Sequence, residues 1–76
     1  MNLDSFSIDQ RIKVQGKSSK GKNRIVEHGN TWRIKKVAEG GYYPWIKEDS
    51  LMLESIIDGT TARWVSIEED KHFELV

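Results

Sequence analysis

Apolar residues along the chain recur with a period of two, in short runs broken by glycine-rich or charged stretches. That pattern predicts half-buried strands rather than helices. Gln10 to Gln15 alternates, with Ile12 and Val14 on one side and Arg11 and Lys13 on the other, until Gly16 ends it. Thr31 to Val37 does the same: Trp32, Ile34 and the stem of Lys36 share one face, and Thr31, Arg33 and Lys35 the other. Leu51–Ile57 and Thr60–Ile67 flank Asp58-Gly59, a dipeptide suited to a tight hairpin turn. Phe73 to Val76 reads as a short closing strand. Tyr42 to Ile46 is aromatic but holds Pro44, which places it at an edge or a bulge.

Asn23 to His28 is open to two readings. As a helical turn it is capped by Ser19 and ended by Gly29 in a left-handed conformation. As a strand it leads into a hairpin at Gly29-Asn30. The adjacent Ile25 and Val26 alternate poorly and favour the turn. Residues 1–9 are polar, with Leu3 and Phe6 as isolated anchors, and predict a loose lead-in to one domain spanning 10–76. The fold class expected is all-β: a small SH3-like antiparallel barrel of five to six short strands with at most one short helical turn, an OB-like barrel standing second. Its core should be Ile12, Val14, Ile25, Trp32, Ile34, Val37, Leu53, Trp64, Ile67 and Phe73.

Composition narrows the function more than the fold. Seventy-six residues make a thin core, and no cysteine is present to staple it or to bind zinc. The opening residues have neither a basic nor an apolar leader region, and the longest aliphatic run, Leu51-Met52-Leu53, is far too short to span a bilayer. A cytoplasmic protein without membrane contact is expected. Net charge is zero but unevenly placed: residues 1–37 hold nine cations against three acids, and residues 38–76 the reverse. Such asymmetry marks an interaction face unless the two halves pair across strands.

Four candidate chemistries follow. Gly16 to Lys22 matches the first seven positions of the phosphate-loop pattern, but Asn23 stands where a magnesium-binding Ser or Thr is required, and the chain is too short for the α/β domain that motif needs. What survives is an anion-holding loop of lysines and free backbone N–H groups. His28 and His72 lack metal-ligand spacing, so neither a metal nor another cofactor is expected. No serine sits in a nucleophile elbow, and no small-molecule pocket is expected in so small a core, so the chain reads as non-enzymatic. Tyr42, Tyr43 and Trp45 around Pro44 form a candidate aromatic contact surface, for bases or for a protein.

Lys20-Gly-Lys-Asn-Arg-Ile-Val-Glu-His-Gly29, with Trp32-Arg-Ile, Arg63-Trp64-Val and the ending Phe73-Glu-Leu-Val, resembles a group of small proteins of phages and mobile elements. The resemblance spans about residues 11–76. It implies a phage or prophage source, a bacterial host's cytoplasm and a host component as partner, and it brings no catalytic residues. Charge placement and the barrel class, apart from this resemblance, lead to two expected functions. One is a nucleic-acid-backbone binder using Arg11, Lys13, Lys17, Lys20, Lys22 and Arg24. The other is a modulator of a host protein, using the aromatic segment or an acidic face of Glu48, Asp49, Glu54, Glu68, Glu69 and Asp70.

Overall fold

The structure, a computed structural model, describes residues 3–57 and 59–76. Five strands form one antiparallel sheet: β1 (Arg11–Gly16), β2 (Thr31–Ala38), β3 (Ser50–Ser55), β4 (Ala62–Ser66) and β5 (Phe73–Leu75). The order β4-β3-β2-β1-β5 curls the sheet into a half-barrel, the mainly β fold that the alternation predicts. Among the described residues no ladder joins β4 to β5; there Arg63 lies over the Phe73 ring, 4.7 Å from its centroid. Among the described residues no helix is long and apolar enough to cross a membrane.

The inner face carries the core: Val14, Trp32, Ile34, Leu51, Leu53, Val65, Ile67 and Phe73. Ile12, Ile25 and Val37 pack around it partly buried, and Ala38 and Ile46 are buried too. Trp64 departs from the expectation. The run Arg63-Trp64-Val65-Ser66-Ile67 offers two alternating sets, and the fold buries Val65 and Ile67, which place two branched side chains inside. Val65 pairs with Leu51 and Trp64 with Met52, so Trp64 stands half-buried on the outer face. A second departure lies in β2. The register shifts between Ile34 and Lys36, so two lysines oppose Met52 and Lys36 turns outward beside Arg33 instead of sharing the face of Trp32 and Ile34.

Between β1 and β2 the chain forms a full helix, α1 (Ser19–His28), where a single turn was expected. Its cap is Ser18, whose hydroxyl oxygen accepts from the Gly21 N–H at 3.0 Å. Gly29, with φ +77°, ends it and donates to the Ile25 carbonyl at 2.7 Å. Gly21, Ile25 and His28, spaced i, i+4 and i+7, face the body of the protein. Gly21 is fully buried because the His72 carbonyl lies where a Cβ would be. Glycine and asparagine lower the intrinsic helix propensity of this segment, and docking offsets the deficit.

The remaining connections are tied down. Leu3–Ser5 forms a short 3-10 turn; Leu3 and Phe6 pack against the core, and the Asp9 N–H donates to Ile34 at 2.7 Å. Residues 39–49 make a loop, not a strand, closed by Gly41 N–H to Ile46 (2.6 Å) and Gly40 N–H to Asp49 (3.0 Å). Of the Asp58-Gly59 turn, Asp58 lies outside the described residues; Gly59 has a left-handed φ of +68°.

Candidate nucleic-acid interface

Strand register assembles a cationic strip on the outer face. Arg11 pairs with Arg33 and Lys13 with Thr31, and Arg33 in turn opposes Glu54 on β3. Lys35, at the bulge, and Lys36 extend the strip along β2. The face thus holds Arg11, Lys13, Arg33, Lys35 and Lys36 against Glu54 and, at its margins, Asp9 and Glu74, the latter on β5 opposing Gln15. Glu54 is 6% exposed and bridges the Arg33 guanidinium and the Lys35 ammonium, the latter at 3.2 Å. Hydrogen bonds from Arg33 and then Lys35 hold its carboxyl below the ordinary 4.5. Asp9 lies 3.5 Å from Arg33. Among the described residues no carboxylate pairs with Arg11, Lys13 or Lys36. Arg11 and Arg33 also line a recess of about 220 Å³, together with Glu54, Ser55, Ile56 and Gly59.

The six expected anion-binding residues are not one patch. Arg11 and Lys13 belong to the strip. Lys17 is exposed elsewhere, lining a recess with Glu68, Asp70 and Glu74. Lys20, Lys22 and Arg24 are exposed on α1, but the helix turns about 100° per residue, so Lys22 leaves one flank and Lys20 and Arg24 the other. Arg24 also meets Glu27 at 3.7 Å. In the loop itself, part of the backbone N–H set is already engaged. The Lys17 N–H donates to the His72 carbonyl at 2.8 Å, Ser18 occupies the Gly21 N–H, and the Ser18 hydroxyl meets His72 Nδ1 at 2.6 Å. His28 is likewise built in, with Nδ1 3.3 Å from the Ser55 hydroxyl and its ring edge-on to Trp32.

The aromatic segment is joined by a residue that the sequence assigned to the core. Tyr43 stacks on Trp45 with centroids 4.9 Å apart and planes at 12°, and leans on Trp64 at 5.8 Å. Tyr42 meets Tyr43 edge-on. Trp64 stands on the same outer face as the cations, in the row Lys36, Met52, Trp64 across three strands. Of the expected acidic face only Glu54 stands apart; Glu48, Glu68 and Glu69 gather around the Ser66 hydroxyl, and Glu48 and Asp70 line one groove. Glu54 sits within the cationic strip, while Glu48 accepts from the Ser66 hydroxyl at 2.9 Å. Asp49 accepts from Gly40, and Asp70 accepts from the His72 and Phe73 N–H groups. Sequence reasoning missed Arg33, Lys35, Lys36 and Trp64 as site residues. The shared face of Arg33 and Lys35 was visible in the alternation, but its junction with Arg11 depends on strand pairing.

Comparison with protein-family models, with curated proteins and with solved structures gives no match.

Proposed function

We propose that this chain is a non-enzymatic binding module whose β1–β2 outer face takes a nucleic-acid backbone. The observation that carries the reading is the cross-strand pair Arg11 and Arg33, extended by Lys13 and Lys36. Like charges directly opposite on neighbouring strands cost folding free energy. Glu54 offsets that cost on the Arg33 side, while Arg11, Lys13 and Lys36 contribute nothing to the core. Cations gathered on one face fit a string of phosphates, which such groups bind by releasing condensed counterions.

The test is fluorescence anisotropy of a labelled oligonucleotide at low salt. Reversing charge with Arg11→Glu and Lys36→Glu together should abolish binding, whereas Lys20→Gln with Lys22→Gln should leave most of it. An oligonucleotide that binds the reversed variant as it binds the parent overturns the assignment. The second function, modulation of a host protein, gains from the exposure of Tyr42 and Trp45, at 73% and 67%. It takes precedence if the parent binds no nucleic acid.

A further inference from the structure

We infer that the nucleic acid taken by this face is single-stranded, with a base stacked on the open side of Trp45. The inference rests on the backbone-binding reading above and adds to it a preference that charge alone would not give. Duplex DNA carries about one negative charge per 1.7 Å of axis, so a purely electrostatic face should hold a duplex at least as well as a single strand. A stacking platform reverses that order, because duplex bases are already stacked on one another and only an unpaired base has a free π-face.

The platform is built for this. Tyr43 stacks on Trp45 and so covers one face of its indole, while Trp64 braces Tyr43 at a 60° tilt. Trp45 ends the stack, two-thirds exposed, so an incoming base extends an existing column. The column adjoins the cationic strip. Lys36, Met52 and Trp64 are register neighbours on three adjacent strands, which puts Trp64 about 10 Å from Lys36 at the usual strand spacing. The loop carrying Trp45 leaves β2 at Ala38, two residues beyond Lys36. Trp45 and Trp64 line an open groove of about 510 Å³, large enough for a base.

Charge sets the polarity of the fit. Glu48 and Asp70 line the groove together with Lys47 and Lys71, so its formal charges balance. The excess of cations lies over β1 and β2, so the backbone lies there while a base reaches toward Trp45. Asp70 is partly offset by Arg63, 3.7 Å away.

The test compares a short mixed-sequence single strand with the same sequence as a duplex at one low salt concentration, following both anisotropy and tryptophan emission. Trp32 is buried, so quenching reports on Trp45 and Trp64. The parent should bind the single strand more tightly and be quenched by it. Trp45→Ala should lose about tenfold in single-strand affinity, keep its duplex affinity and melt as the parent does, and Trp45→Phe should recover part of the loss. Equal binding of both forms, unaffected by Trp45→Ala, overturns the stacking and leaves backbone binding standing. Equal loss for both forms also overturns it. Failure of the parent to bind either form overturns both proposals and leaves the aromatic surface to a protein partner.

Discussion

Glu54 shows how one side chain serves two ends that conflict. It relieves repulsion among Arg33, Lys35 and Arg11, and it also subtracts charge from the face they form. Because its carboxyl titrates below 4.5 in the fold, the unfolded chain takes up that proton first as pH falls. The stability Glu54 contributes is therefore complete above about pH 4.5 and is lost as pH falls through its lower folded value. Urea midpoints measured across that range should fall for the parent and fall less steeply for Glu54→Gln, which should be less stable at neutral pH. The same variant should bind an oligonucleotide more tightly. Parallel pH curves for the two proteins would remove Glu54 from the stability account. The tryptophans divide just as clearly. Trp32 is 1% exposed and donates from Nε1 to the Gly29 carbonyl at 3.1 Å. Trp32→Ala should cost about 3–5 kcal/mol, as much as a domain this small has in hand, and leave the chain largely unfolded. Trp64→Ala, on the outer face, should still fold, with a cooperative melt as the readout.

At the scale of elements, α1 depends on one close approach. Gly21→Ala adds about 1 kcal/mol of helix propensity, yet its methyl group would overlap the His72 carbonyl. Overpacking of that kind costs about 1–3 kcal/mol, so the variant should be destabilised on balance. Ser18→Ala should cost about 1 kcal/mol by loss of the cap. Chemical denaturation checks both, and a stabilised Gly21→Ala protein would mean that α1 does not dock against residue 72. The strands were legible because their alternation is local. The face of β4 was not, since Trp64 with Ser66 and Val65 with Ile67 alternate equally well and only pairing with Leu51 decides between them. The helix was half legible. Gly29 marks its end in sequence, whereas its length depends on docking that no local pattern records. In the site, Arg11 and Lys13 could be read directly. The compact run Lys17 to Arg24 is dispersed in the fold, because a helix spreads neighbours around its axis while a sheet gathers residues distant in sequence.

Over the whole molecule, opposite charges balance in number but not in place. Pairing of β2 with β3 brings Glu54 from the acidic half against Arg33 and Lys35 from the basic half, and cancels only part of the excess. What remains on the outer face is a cationic strip bordered by an aromatic stack, and the proposed function stands on that strip. The salt dependence of binding tests it most directly. With about five phosphates neutralised, log K for a single strand should fall with log salt at a slope near −3 to −4. Replacing Arg11, Lys13 and Lys36 together by Gln should flatten the slope by about two units, while replacing Lys20 and Lys22 on α1 should leave it nearly unchanged. A slope that the strip variant leaves intact, or that the helix variant flattens instead, would contradict the assignment of the β1–β2 face.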